Sequence, residues 1–138
     1  MTREWVFVAL GSNLGDRARH LAAARAALGA LPETVLVAES SVEETPPLGP
    51  VAQPPFLNQM VLLSTALDPR QLLDACLAIE RAAGRVRGER WGPRTLDLDL
   101  VRFGDRRLAE PDLRIPHPQL PHRDFWQREL AELLPHAV

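Results

Sequence analysis

From Leu96 to Val101 the chain reads Leu-Asp-Leu-Asp-Leu-Val, with apolar and charged residues in alternation up to the closing valine. Only a β-strand turns successive side chains to opposite faces, so Leu96, Leu98 and Leu100 belong against a core and Asp97 and Asp99 share the other face. The chain must therefore build a sheet with at least one covered face. The same alternation sets two carboxylates roughly 6–7 Å apart along the strand, where they repel unless a cation lies between them. Oxygen-only ligands suit Mg²⁺, which takes one or two carboxylates together with water and substrate phosphates. Just upstream stand Arg85, Arg87, Arg90 and Arg94, with Trp91-Gly92-Pro93 bending the chain among them. Paired aspartates and arginine runs are each commonplace on protein surfaces. Side by side, they predict a site for phosphoryl chemistry.

A chain of 138 residues, 46% hydrophobic and 25% charged, is expected to form one soluble domain over residues 1–138 with its own core. The lone Cys76 excludes a disulfide framework, and its setting in Leu72-Leu73-Asp74-Ala75-Cys76-Leu77 reads as a helix core position. No apolar run approaches a membrane span, and Met1-Thr2-Arg3-Glu4-Trp5 does not resemble a signal peptide. A cytoplasmic monomer acting on small molecules, without membrane or nucleic-acid partners, is the expectation. A net charge of −2 fits it, offering no general attraction for nucleic acid. All 16 basic residues are arginine, which excludes a Walker-type phosphate loop and lysine Schiff-base chemistry. Any grip on phosphate belongs to arginine, whose planar fork can bind two oxygens at once.

Val6 to Leu10 reads as a buried first strand, and Gly11-Ser12-Asn13-Leu14-Gly15-Asp16 as a turn in which Asp16 can cap a helix. That helix spans about Arg17 to Leu31 and stops at Pro32, and Thr34 to Ser40 reads as a second strand. Five prolines between Ser41 and Pro55 forbid a central strand or helix there and predict a long functional loop. Phe56 to Leu67 is a third strand with Phe56, Asn58, Met60 and Leu62 on one face. Asp68-Pro69 opens a second helix, about Arg70 to Ala83, that ends at Gly84. After the Asp97 strand, Gly104-Asp105 signals a hairpin with a short return over Arg106 to Leu108, and a last helix covers Asp124 to Leu134. The order β-α-β-β-α-β predicts an α+β fold, a ferredoxin-like sandwich whose antiparallel sheet carries its helices on one face. The Pro-rich loop and the arginine connection from Gly84 to Gly92 lack a pattern that would pin them to the core, and are expected to work as lids.

Several separated segments resemble one family, the 6-hydroxymethyl-7,8-dihydropterin pyrophosphokinases of folate biosynthesis. They are Ala9 to Asp16, Glu44-Thr45-Pro46-Pro47-Leu48-Gly49-Pro50, Phe56-Leu57-Asn58, Gly84 to Leu100, Ile115-Pro116-His117-Pro118 and Arg123-Asp124-Phe125. The resemblance implies transfer of pyrophosphate from Mg-ATP to the pterin hydroxymethyl oxygen, with release of AMP. It implies that Asp97 and Asp99 hold two Mg²⁺ ions and that Arg85 and Arg94 engage the triphosphate. It further implies nucleotide contacts at Glu80, Arg87, Trp91, Leu100, His117 and Arg123. Pterin contacts are implied at Thr45, Pro46, Pro47 and Leu48, with Phe56 and Phe125 as stacking aromatics and Asn58 pairing with the ring edge. Leu77 and Pro118 depart from the family's pattern, standing where a glutamine and an aromatic are common.

The competing reading is a ferredoxin-like nucleotide- or RNA-binding module without catalysis. RNA-binding members of that architecture present paired aromatics and a basic face on central strands. Here the Asp97 strand is acidic, and Val6 to Leu10 carries only Phe7. A phosphotransferase or nuclease acting on nucleic acid is opposed by the low net charge.

Overall fold

The computed structural model describes residues 2–47, 49–84 and 95–138. Strand β1 (Glu4–Ser12) leads into helix α1 (Arg17–Gly29), followed by β2 (Thr34–Glu39), the short β3 (Glu43–Thr45) and the long β4 (Phe56–Thr65). Helix α2 (Pro69–Ala82) precedes β5 (Asp97–Phe103), a small hairpin of β6 (Leu108–Glu110) and β7 (Leu113–Ile115), and helix α3 (Asp124–Leu133). The main sheet runs β2-β4-β1-β5, every pairing antiparallel, and β3 pairs β4 beyond the end of β2. This is the ferredoxin-like order expected from the sequence.

Helices α1 and α2 start where the sequence provides a cap. Asp16 accepts from the Arg19 amide at the head of α1. At α2, Asp68 and Gln71 exchange side-chain-to-backbone hydrogen bonds in a capping box, and Pro69 occupies the first turn, where its missing N–H costs nothing. The buried stripe of α1 is Leu21, Ala24 and Leu28, and it packs with Val6, Val8, Leu10, Val61 and Leu63 of the central strands. A fully buried leucine of this kind contributes about 1.5–3 kcal/mol. The stripe of α2 is Leu72, Cys76 and Glu80, so helical geometry carries one carboxylate into the core with its apolar neighbours. Cys76 is a core residue as expected, its thiol pushed up to about 12 by burial first and then by Glu80 and Asp99.

The structure departs from the sequence expectations in four places. β1 continues through Gly11 and Ser12 instead of turning, because strands on both sides claim Gly11, Asn58 of β4 and Asp97 of β5. A strand, β3, forms inside the Pro-rich stretch; it lies before the first proline and at a sheet edge, where prolines are tolerated. Residues after Gly104 do not return along β5. Arg106 is held by Glu4, and Leu108 to Glu110 pair with β7 instead. The helices are not confined to one face: α3 covers the other with Trp126, Leu130 and Leu133, against Phe7, Ala9, Met60, Leu62 and Val101. That face is buried for part of its length, and beyond the apolar part lie the polar residues of the site.

Candidate active site

The pairing register builds the site. Gly11 on β1 stands opposite Asp97 on one side and Asn58 on the other, and Asn58 stands opposite Glu43 of β3. Directly opposed residues project to the same face, so Asp97, Gly11, Asn58 and Glu43 form one row across four strands. Asp99 lies in the next row, opposite Ala9. This is the face that α3 covers. Gly11 leaves the row open: a Cβ there would meet Asn58 Oδ1 at 3.3 Å and the Phe56 ring at 3.5 Å. The sequence around Gly11 reads as a turn, whereas the pairing of β1 places Gly11 in the floor of the row. Its alternation with Ala9 and Phe7 is the signal that could have found it.

At the β5 end of the row, Asp97 and Asp99 are both partly exposed on this edge strand and share a face, as their spacing predicts. The outer edge of this strand is secured by polar contacts. Glu80 Oε2 accepts the Leu98 amide at 2.7 Å, and the His117 amide donates to the Val101 carbonyl at 2.9 Å. Val101 is an extra residue relative to β1, a bulge between Leu100 opposite Val8 and Arg102 opposite Phe7. His117 follows the cis Ile115–Pro116 bond. Its Nδ1 accepts from the Gln119 amide at 3.1 Å, so in the neutral ring the proton sits on Nε2, which points to Asp99 Oδ1 at 3.5 Å. The ring meets Trp126 edge-on at 4.9 Å between centroids. A cavity of about 240 Å³ opens at this edge, bounded by Leu73, Leu98, Asp99, Leu100, Arg114 and His117.

Across the row, Asn58 is 6% exposed and its Nδ2 donates to Thr45 Oγ1, leaving Oδ1 directed over Gly11. Phe56 is half-buried at the start of β4, opposite Thr45. Phe125 is half-buried in the first turn of α3, 6.4 Å from the Trp126 ring. Arg123, just before α3, lays its guanidinium over Trp126 at 4.4 Å. Pro46 and Pro47 continue from β3, and the far end of that loop is held by polar contacts. Asn13 Nδ2 donates to Gln53 Oε1 and the Pro54 carbonyl, and Arg17 donates to the Pro55 carbonyl while pairing with Glu44 at 2.9 Å.

The structure thus brings Asp97, Asp99, His117, Asn58, Thr45 and Phe56 to one end of one sheet face, with Phe125 and Arg123 at the start of the covering helix. Glu80, expected to touch nucleotide, is 4% exposed and supports β5 from behind. The Leu100 side chain belongs to the core between sheet and helices and reaches ligand space only as part of the cavity wall. Arg85, Arg87, Arg90, Trp91, Arg94 and Leu48 lie outside the described residues, as does most of the arginine connection. Two hard carboxylates on one open edge fit Mg²⁺, which needs few protein ligands when phosphates complete its shell. Among the described residues no third carboxylate, histidine or cysteine completes an all-protein cage.

A profile of the family 7,8-dihydro-6-hydroxymethylpterin-pyrophosphokinase (HPPK) matches residues 7–135. The chain belongs to this family. It is 50% identical over 130 residues to the 2-amino-4-hydroxy-6-hydroxymethyldihydropteridine pyrophosphokinase of Pseudomonas aeruginosa, covering 94% of this chain and 80% of that protein. Proteins of the same name in Methylorubrum extorquens and Bacillus subtilis are 43% and 41% identical, over 100% and 92% of this chain and 86% and 76% of theirs. The matched span of the pyrophosphokinase family runs from β1 to the end of α3 and so takes in every described residue of the site.

Proposed function

We propose that the chain carries out its family's reaction along the Asp97–Gly11–Asn58 row, phosphates at the β5 end and pterin at the β3 end. The family's activity is transfer of pyrophosphate from ATP to the hydroxymethyl oxygen of 6-hydroxymethyl-7,8-dihydropterin, giving the pterin diphosphate and AMP in folate biosynthesis. The observation that carries this placement is the register that puts a carboxylate and a carboxamide on either side of one glycine.

Asp97 and Asp99 would hold Mg²⁺, two ions in this reading. Mg²⁺ held by these two carboxylates would supply charge neutralisation and alignment for the triphosphate. His117, its tautomer set by Gln119, presents an N–H beside Asp99 and suits a phosphate oxygen in the adjoining cavity, where Leu100 forms apolar wall. Arg85 and Arg94 would grip the triphosphate, with Arg87, Trp91 and Arg123 as further nucleotide contacts. Asn58 Oδ1, fixed by the bond to Thr45, offers an acceptor to the donor edge of a pterin. Phe56 and Phe125 supply flat apolar surface, and Thr45, Pro46, Pro47 and Leu48 the loop beside it. With reactants placed in line, positioning and charge neutralisation lower the barrier without a covalent enzyme intermediate. The proton lost by the hydroxymethyl group leaves to solvent or to a phosphate oxygen.

The test is AMP formation from ATP, which should require both Mg²⁺ and the reduced hydroxymethylpterin. D97A and D99A should each remove at least about 99% of turnover, a loss of roughly 2.7 kcal/mol or more in transition-state stabilisation, while circular dichroism stays unchanged. Near-normal turnover in either variant at modest Mg²⁺ would overturn the metal assignment.

A further inference from the structure

Where β3 meets α3, the buried carboxyl group of Glu129 faces the inward Oε2 of the partly exposed Glu43. Glu129 of α3 is 1% exposed, and neither of its oxygens receives a hydrogen bond from an N–H or O–H donor among the described residues. Oε2 of Glu43 is in the same position, while its Oε1 accepts from Arg128 Nε at 3.0 Å. Ionising both is disfavoured, since Glu129 and the inward Oε2 of Glu43 lack solvent and the two charges repel, even though the rest of the Glu43 side chain is partly exposed and paired with Arg128. A single proton resolves the conflict: a protonated Glu129 donates to Glu43 and both inward oxygens are satisfied. Burial first, and then the hydrogen bond and charge of Glu43, push the Glu129 carboxyl up to about 9. The other charges facing it are on α3 itself, Arg128 favouring ionisation and Glu132 opposing it. The strand residues packed against α3 are Phe7, Ala9, Met60, Leu62 and Val101, which do not titrate.

The pair is placed where it can matter to substrate. Glu43 stands opposite Asn58, two residues before Thr45, and Glu129 lies one helical turn after Phe125. Alongside it, Glu132 accepts from the Ser41 amide at 3.0 Å and from Ser41 Oγ at 2.6 Å. The start of β3 is thereby laced to α3, and the spacing between the Thr45 loop and Phe125 follows from that junction. We propose that Glu43 and Glu129 share one proton across the β3–α3 junction and act as positioning residues that hold Thr45 and Phe125 at the separation a bound pterin requires. The proposal rests on the reading of Asn58, Thr45 and Phe125 as the pterin subsite. Loss of the shared proton leaves two like charges in a dry contact and drives the first turns of α3 from β3. Pterin binding weakens, and the Asp97–Asp99 side is untouched.

Initial rates of the wild type, E129Q, E129A and N58A across alkaline pH, with pterin and ATP varied separately, test this. The E129Q amide donates to Glu43 at every pH, so comparison with it cancels any titration of the pterin itself. Relative to E129Q, the wild-type KM for pterin should rise roughly tenfold between about pH 8 and pH 10, while kcat and the ATP KM stay level with those of E129Q. E129A, which has no donor, should already bind pterin weakly near neutral pH, where E129Q matches the wild type. Parallel wild-type and E129Q profiles, or an E129Q as impaired as E129A, would overturn the shared proton. An N58A enzyme with unchanged pterin KM would instead overturn the subsite reading beneath it.

Discussion

Among single residues, Glu129 makes the sharpest statement about energy. Its folded-state carboxyl titrates near 9 because burial, and then Glu43, oppose its charge, whereas in the unfolded chain it titrates near the ordinary 4.5. Between those values the native state holds a proton that the unfolded state has lost. Stability from this group is therefore complete below about 4.5 and falls as pH rises towards 9, by up to about 1.4 kcal/mol per pH unit. Glutamine carries no such proton. Denaturant melts of wild type and E129Q should diverge steadily from about pH 5 to pH 8, with E129Q the more stable at the upper end. Curves that stay parallel would mean that Glu129 is ionised in the native protein. Nothing in the sequence around Glu129 announced this. Gln127-Arg128-Glu129 reads as a solvated helix face, and only the meeting of α3 with β3 buries it. Asn58 and Asp97 were legible, since strand alternation alone assigns each to a face. What alternation could not supply was the register, and with it the fact that Gly11 lies between them.

Edge strand β5 depends on an element that contributes nothing to its pairing. One side hydrogen-bonds to β1; on the other, Glu80 of α2 takes the Leu98 amide with a carboxylate oxygen. A carboxyl oxygen buried against a strand and taking its amide at 2.7 Å is a specific anchor. E80A removes it and should cost about 1–3 kcal/mol through an unpaired buried N–H. It should also raise the Mg²⁺ concentration needed for half-maximal rate, since Asp97 and Asp99 lie on either side of Leu98. E80Q retains an acceptor oxygen and should recover most of both losses. Thermal melts with Mg²⁺ titrations of the rate decide the matter; an E80A protein that melts and titrates like the wild type would show that β5 needs no such support. Helix α2 was legible from its capping residues and its apolar spacing. The inward turn of Glu80 follows from that same spacing, one and two turns beyond Cys76 and Leu72, although a glutamate is ordinarily read as surface. Strand β3 was hidden for a different reason. Three residues are too few to show a period, and the prolines behind them dominate the local signal.

For the molecule as a whole, the order of elements was readable because each lies between clear punctuation: Asp16, Pro32, Asp68-Pro69, Gly84 and Gly104. The side of the sheet taken by α3 was not, because β1 and β4 are apolar on both faces and accept a helix on either. The row of opposed residues that crosses the sheet has a consequence for how the protein comes into being. Its members are drawn from β1, β3, β4 and β5, so no hairpin or helix pair contains a working fragment of the site. A slip of one residue in any of these pairings would turn a site residue to the opposite face. Catalytic competence is thus a report on the whole sheet. In refolding from denaturant, turnover should return with the same time course as burial of Trp126, and recovery of activity ahead of that signal would mean that a subset of strands suffices. Errors in assembly have nowhere to hide: a chain that has closed its core around the wrong alignment carries the right residues and cannot use them.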